Sequence, residues 1–577
     1  MAGWKLSAWR DTLRRHWSRV RHMHRFLRCS LLAGLMVMAS AATAADLLVE
    51  NVNGYTLDKA GQLQRFDALL IDHGKVVAIG GKAQLLARAD GARIEDGLGR
   101  TLLPGLIDAH GHVMDLGYMK TQANLVSTTS LDDAQRVIRS YAAQHPGAGW
   151  IQGGGWNQVI WKLGRFPNAG ELDTAISDRP AWLTRVDGHA GWANNAAMKL
   201  AGIRRNTRDP AGGRIERDAQ GNPTGVFVDG AQSLIESHIP APSEKQRGAA
   251  LDAALAEMRS VGMTGVDDAG IDAKTYALYR QYADAHRLTT RVYAMIRDTG
   301  ADFDRISKNG PLIGYGDDFL TVRAVKLFSD GALGSRGAAM LAPYSDDPHN
   351  RGLLFHPPAE LTAMIGKALA KGYQVNIHAI GDRANREVLD SFEAAYKLHG
   401  GENLRNRVEH AQILAPSDIP RFVQLNLVAS MQPTHATSDM NMAEDRIGVA
   451  RLKGAYAWQT FLKQGTVIAG GSDFPVESPN PFYGLHAAIT RQDHHDQPPG
   501  GWYPGQAMTR IEAFRAFTLS AAWAAHEEKN QGSLEPGKWA DFIVIDRDIF
   551  SIPAKDIWST KVLQTWVGGK LVYAAAH

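Results

Sequence analysis

The sequence predicts an α/β fold: a (β/α)8 TIM barrel, with a small β-sandwich domain assembled from both termini and a long insertion after barrel strand 1. Three observations carry that prediction. Between residues 103 and 525, eight apolar strand-like runs recur, most of them separated by stretches of helical periodicity. Buried strands that alternate with helices form a parallel sheet, and eight of them close a barrel. An open, doubly wound sheet is the competing arrangement. Strand-like runs within 45–102 are echoed within 526–577, and each set alone is too small to bury a core. Residues 113–260 break the alternation, which makes them an insertion.

Residues 1–44 stand outside this plan. Lys5, Arg10, Arg14, Arg15, Arg19, Arg21, Arg25 and Arg28 face one acid, Asp11; an apolar run from Leu31 to Met38 and Ala42-Thr43-Ala44 follow. Basic region, short apolar core and small-x-small exit make a secretory signal peptide. The run is too short for a membrane span, which needs about 20 apolar residues; an uncleaved anchor is the alternative. The expected product is exported, to the periplasm or beyond, with no stable membrane partner once the leader is cut. The chain has 63 Lys and Arg against 60 Asp and Glu, but eight of the former and one of the latter lie in the leader, which leaves 55 against 59. The basic balance belongs to the export signal, so nothing points to nucleic acid. The single cysteine, Cys29, is also in the leader. The mature chain therefore has no disulfides or thiolate ligands, and a metal must sit on histidine, carboxylate or a rarer group.

Runs at 46–52, 68–72 and 75–80, broken by Gly and Asp-His-Gly turns, and runs at 540–546 and 562–573 supply the composite β-domain. The barrel, within 103–525, begins with Leu103-Pro104-Gly105-Leu106-Ile107-Asp108-Ala109-His110-Gly111-His112 and continues at 264–268, 290–296, 322–328, 374–378, 406–410, 427–432 and 466–470. Segments 358–371 and 382–399 carry helical periodicity between strands. The insertion, with Trp156, Trp161, Trp192 and Asp187-Gly188-His189, belongs over the C-terminal mouth, where barrel active sites are built. It reads as a lid shaping a substrate pocket; a decorative or oligomerising subdomain is the bland alternative.

The chemistry gathers where the apolar runs stop. In an extended strand residues i and i+2 share a face, so His110 and His112 present two imidazoles side by side. His378 ends strand five, His410 ends strand six, Asp473 follows Gly470-Gly471-Ser472 after strand eight, and Lys326 sits inside strand four. One such histidine is usually a satisfied core residue. Four histidines and an aspartate at the same end of different strands converge on one barrel mouth.

These stretches resemble the amidohydrolase superfamily of metal-dependent hydrolases, specifically amidohydrolase family 3 and its N-substituted formamide deformylase-like branch. The matching motifs are 104–112, Val325-Lys326-Leu327-Phe328-Ser329-Asp330-Gly331, Ile377-His378-Ala379-Ile380-Gly381-Asp382-Arg383, Arg407-Val408-Glu409-His410, Ser430-Met431-Gln432-Pro433-Thr434-His435 and Gly471-Ser472-Asp473-Phe474-Pro475. The resemblance covers essentially the whole mature chain. It implies that His110, His112 and Asp473 bind a buried divalent metal, that His378 and His410 bind a second, and that Lys326, carbamylated by CO2, bridges them. A lysine packed in the barrel and paired with an acid leaves a one-metal site. Zinc is the natural ion for nitrogen and oxygen ligands, with manganese or iron open. The resemblance further implies that Asp473 is both ligand and general acid/base for a metal-activated hydroxide.

Second-rank candidates are His189, for a carbonyl oxygen or substrate carboxylate, Arg336 and Arg383, as carboxylate clamps or braces of Asp330 and Asp382, and Gln432 and His435, facing the pocket. The three tryptophans suggest an apolar substrate side or plain core. The expected activity is hydrolysis of an amide-type C–N bond in a small N-acyl or N-formyl amine. Lactone, carbamate or cyclic amidine hydrolysis on the same site, or a non-catalytic barrel, compete with it; a homo-oligomer is open.

Overall fold

Eight parallel strands occupy the centre of the computed structural model, which describes residues 45–147 and 149–576; the leader assigned to 1–44 lies outside them. They are β1 (Leu106–Gly111), β2 (Met263–Ile271), β3 (Arg291–Arg297), β4 (Leu320–Phe328), β5 (Gln374–Ala379), β6 (Arg407–His410), β7 (Val428–Met431) and β8 (Ile468–Gly470). Each pairs in parallel with the next, so the hydrogen-bonded path runs from β1 to β8 without a crossover. The ends meet just beyond β8: Asp473 N–H donates to the His110 carbonyl at 2.7 Å and His112 N–H to the Phe474 carbonyl at 2.7 Å. The predicted α/β barrel is therefore present and nearly closed. Closure is made by the segments that carry the candidate ligands.

The helices around it follow from their sequences. Pro358–Leu369 begins with proline at N1, where its missing N–H costs nothing, and buries Leu361, Ile365 and Leu369 at helical spacing. Asp382–His399 carries Asp382 in its first turn and Lys397 and His399 in its last, each matched to the local end of the helix dipole. Gly400, at φ 65°, ends it in a conformation that side chains resist.

A second sheet joins the two ends of the chain. Its order is Lys570–Ala574, Val562–Val567, Phe542–Ile545, Thr101–Pro104, Leu47–Leu57, Leu63–Asp72 and Lys75–Gly80. Leu47–Leu57 bulges between Glu50 and Gly54; its first half pairs with Arg93–Asp96 and its second with Thr101–Pro104. Strand alternation sorts the side chains: Leu47, Val49, Leu69, Ile71, Phe542 and Trp566 share one buried cluster, and Leu48, Ala68, Leu70 and Leu85 another. Only Gly105 separates Thr101–Pro104 from β1, so this sheet feeds directly into the barrel. The buried Arg291–Asp541 ion pair, at 2.7 Å, fastens the two.

Between β1 and β2 the insertion forms its own six-stranded sheet: Gly213–Arg217, Pro223–Asp229, Ala190–Ala193, Ala181–Arg185, Ile151–Trp156 and Ala123–Asn124. Trp156, Trp161 and Trp192 are the core of this unit. Each indole N–H is satisfied inside it, on the Leu183 carbonyl, Thr128 and the Asn168 carbonyl respectively. The apolar substrate wall suggested for these three is thus replaced by plain packing. Among the described residues no helix is long and apolar enough to cross a membrane.

Candidate metal centre

The C-terminal ends of the barrel strands bring the candidate ligands together. His110, on β1, is fully buried. Its ring centroid lies 4.8 Å from that of His410 and 5.5 Å from that of His112; His410 and His378 are 4.7 Å apart. One ligand atom each from His110, His410 and Asp473 lie within 4.8 Å of one another. Lys326 Nζ is 3.0 Å from His110 Nε2. Asp473 Oδ1 sits 3.1 Å from His112 Nε2 and 3.5 Å from His110 Nε2, yet receives no hydrogen bond from the described residues although it is buried. His378 stands further out, with Nε2 3.4 Å from Asp330 Oδ1. His435 stacks 5.7 Å from His410, its Nε2 3.5 Å from Asp473 Oδ2.

Local backbone geometry explains how neighbours in sequence reach one centre. His410 at φ 72° and Asp473 at φ 61° both adopt left-handed conformations, which cost energy for non-glycine residues and accumulate at functional sites. The turn at His410 takes it out of the strand alternation, so that its ring and the Glu409 carboxylate both reach His110.

Electrostatics suits a cation. Burial, helped by the Lys326 charge, holds His110 well below the ordinary imidazole value, and burial with the neighbouring imidazoles does the same to His410. Both are therefore neutral, the form that binds metal. Burial also lowers Lys326 to about 8, against the opposing pull of Glu409 and Asp473. Burial alone would raise Asp473; the His112 contact and the imidazoles around it outweigh burial and hold the carboxyl well below the usual range. A buried carboxylate oxygen of Asp473 without a partner among the described residues, beside neutral imidazoles, fits a divalent ion.

Behind the ligands stands a set of orienting groups. Glu409 Oε2 is 2.5 Å from His110 Nδ1, and Gln432 Oε1 is 2.8 Å from His410 Nδ1. Fixing Nδ1 leaves Nε2 as the binding nitrogen. Asp108 accepts from the Ser472 N–H and hydroxyl and from the His110 N–H, tying β1 to the Asp473 loop. Burial raises its carboxyl to about 7 against those three bonds.

Above the centre lies a cavity of about 1110 Å³, with His112, Lys326, His378, His410, His435 and Asp473 on the barrel side. His189 and Arg185 reach it from the insertion. The His189 ring lies 5.3 Å from His378 and its Nδ1 2.7 Å from Asp229 Oδ1. Burial would lower the His189 imidazole, but the Asp229 hydrogen bond and the charges of Asp229, Asp187 and Asp330 raise it.

The amidohydrolase family model matches residues 93–573. The chain belongs to the amidohydrolase family. It is 34% identical over 551 residues, 92% of each chain, to Protein LONG AFTER FAR-RED 3 of Arabidopsis thaliana. It is 28% identical over 555 residues, 92% of this chain and 98% of the other, to N-substituted formamide deformylase of Arthrobacter pascens. The crystal structure of an uncharacterized metal-dependent hydrolase from Pyrococcus horikoshii OT3 superposes with a TM-score of 0.72 at 26% identity, covering 88% of this chain and 99% of that one. As a member of this family the chain is a metal-dependent hydrolase with a small-molecule substrate, and the barrel mouth is where its His and Asp residues gather.

Three second-rank assignments need correction for this amidohydrolase. Arg336, at φ 58°, turns its guanidinium onto Asp346 at 2.9 and 3.2 Å rather than into the cavity. It does not brace Asp330 either, whose carboxylate accepts the N–H groups of Ala339, Ile380 and Gly381. Arg383 is exposed, and neither arginine lines the cavity. Gln432 is buried behind His410 and acts on the ring, not on a ligand in the cavity. Glu409 was missed, although a signal existed: Arg407 and Glu409 are two charges at i and i+2 inside a run that reads as a barrel strand. Glu409→Gln removes the charge on His110 Nδ1, and the expected result is a loss of about 10–100-fold in metal affinity. Competition of the purified protein against a chelator measures it; an unchanged affinity refutes the orienting role.

Proposed function

We propose that this amidohydrolase-family protein is an exported, periplasmic enzyme that cleaves the amide-type C–N bond of a small N-acyl or N-formyl amine. The observation that carries the reading is the convergence of His110, His410 and Asp473 lone pairs beneath a cavity of about 1110 Å³. Similarity to the Arabidopsis and Arthrobacter proteins over nearly the whole chain supports the enzyme class, and the second of these, a formamide deformylase, supports the acyl group. The basic, apolar and Ala42-Thr43-Ala44 segments support export.

In this reading His110, His112 and Asp473 hold one ion, zinc by preference for nitrogen and oxygen ligands, and His378 and His410 a second. A bound divalent ion supplies a water acidified to a pKa of about 7 and polarises the scissile carbonyl. Asp473 accepts the proton of the attacking water and returns it to the leaving nitrogen, which departs as the amine. Its low carboxyl value keeps it ionised. Lys326, buried and lowered to about 8, offers a neutral amine to CO2. The new N–C bond would release one proton and convert the neutral amine into an anionic oxygen donor. Glu409 and Gln432 keep the two rings from turning.

Metal content per chain, intact mass and turnover of a panel of N-formyl and N-acyl amines test the proposal together. Expected are two ions, a mass increment of one CO2 on the Lys326 peptide, and amide hydrolysis that stops on metal removal and returns with zinc. One ion and an unmodified lysine would keep the hydrolase and remove Lys326 from the site. Hydrolysis of lactones or carbamates without any amide would overturn the substrate class.

A further inference from the structure

A second polar enclosure lies at the end of the barrel away from the metal centre. Asp267, Arg291 and Thr321, on β2, β3 and β4, meet Asp318, Glu527 and Gln531 around a cavity of about 10 Å³. That is room for one occupant the size of a water molecule. Arg291 and Thr321 are the first and second residues of their strands, so the cavity belongs to the floor of the barrel, where the segment after Leu519–Ala524 closes it.

Two of the charges in its wall are answered by neighbours. Asp267 is held by Arg407 at 2.6 Å. Arg291 spends Nε and Nη2 on Asp541, at 2.7 and 3.1 Å, and Nη1 on the Asp317 carbonyl, at 2.9 Å. What remains is oxygen. Glu527, buried, receives the Thr321 hydroxyl on Oε1 at 2.9 Å, and Asp318 receives the Trp539 indole N–H on Oδ2 at 2.7 Å. Neither carboxylate forms an ion pair among the described residues. Burial pushes the Glu527 carboxyl up and the Asp318 charge adds to it, against the Thr321 hydrogen bond and the charges of Arg291 and Arg323. Gln531 is 7% exposed, and its Oε1 is buried with no hydrogen-bond partner among the described residues. A buried amide oxygen left without a partner is costly. A Cβ on Gly265 would stand 3.0 Å from that oxygen, so β2 keeps the space beside it clear.

We propose that the floor cavity is a monovalent-cation site, taking potassium, which binds Gln531 Oε1 together with the Glu527 and Asp318 carboxylates. A water would donate to Gln531 yet leave two like charges facing each other in a confined space. A hard cation takes oxygen ligands and answers all three groups at once. The Arg291 guanidinium in the wall weighs against a doubly charged ion, and potassium is close to a water molecule in size. The ion joins the closing segment of the barrel to β4. Asp267 borders the same cavity and holds Arg407, so the site adjoins the buried charges beneath the metal centre without touching its ligands. No step of hydrolysis passes through it, and it stands whether or not the substrate is an amide.

The test uses the purified, zinc-loaded protein exchanged into tetramethylammonium chloride, whose cation is too large for the cavity. Potassium chloride at the same ionic strength is expected to raise the thermal midpoint by about 2–4 °C, saturably, and lithium chloride to do markedly less. Gln531→Met keeps the length of the side chain and removes its oxygen, and is expected to lose the potassium-dependent rise. Crystals of the parent soaked in thallium(I) acetate, a potassium substitute that scatters anomalously, are expected to show an anomalous peak beside Gln531 Oε1. Equal midpoints in the three salts, or a potassium rise that survives Gln531→Met, overturn the proposal. Density at that place without anomalous signal marks a buried water only and overturns it as well. If Gln531→Met fails to fold, the thallium peak in the parent decides.

Discussion

Replacing Asp473 by asparagine is expected to lower kcat by about 10³–10⁴-fold in a protein that still folds. The backbone argument comes first. Asp473 has φ 61°, and asparagine is among the few residues that tolerate this region, so the turn that closes β8 onto β1 survives. The Asp473 N–H to His110 carbonyl bond at 2.7 Å does not involve the side chain and survives with it. What disappears is a carboxylate held ionised between His110, His112 and His435. An amide oxygen can still ligate a cation weakly, but an amide does not carry a proton between water and amine. Metal content, circular dichroism and kcat on the same preparation check the claim. A variant with full metal content and kcat within tenfold of the parent would remove Asp473 from proton transfer.

The barrel and much of its mouth were legible in the sequence because both obey short-range rules. Eight apolar runs alternate with helices, and β2 to β8 lie within a few residues of the predicted runs. His110, His378 and His410 end such runs, and a strand end in a parallel barrel has a known address. What was not legible depends on backbone departures from those rules. Strand alternation sends Glu409 and His410 to opposite faces, yet the left-handed turn at His410 lets both reach His110. Arg336 follows a strand, but its own left-handed φ turns it to Asp346, where its charge is neutralised. Asp229 and His189 lie forty positions apart within an insertion whose sheet has no period to announce it. Their pairing is a tertiary fact.

Below the metal centre the barrel interior is charged, and this sets up the second large effect. Arg407 is fully buried; it donates to Asp267 Oδ2 at 2.6 Å and to the Ala109 carbonyl at 3.3 Å, while its Nε and Nη2 find no acceptor among the described residues. Burial raises Asp267 to about 7 against the pull of Arg407. Arg407→Met strands that carboxyl without a counter-charge, and the expected loss of stability is about 3–5 kcal/mol. The sign with pH follows from proton linkage. Without Arg407 the folded state keeps a proton on Asp267 that the unfolded chain releases near its ordinary value of about 4. Stability therefore falls as pH rises, and the deficit is larger at pH 8 than at pH 6. Arg407→Met combined with Asp267→Leu replaces both charges by apolar groups and should recover most of the loss. Unfolding of the parent, single and double variants at both pH values measures this, and a double variant no more stable than the single one would sink it. Recovery of stability need not bring back metal affinity. Arg407 also favours the charged form of Glu409, the carboxylate that fixes His110. A double variant that is stable yet binds metal more weakly than the parent would show that the buried charges serve the ligands above them, with their cost to the fold offset only as a pair.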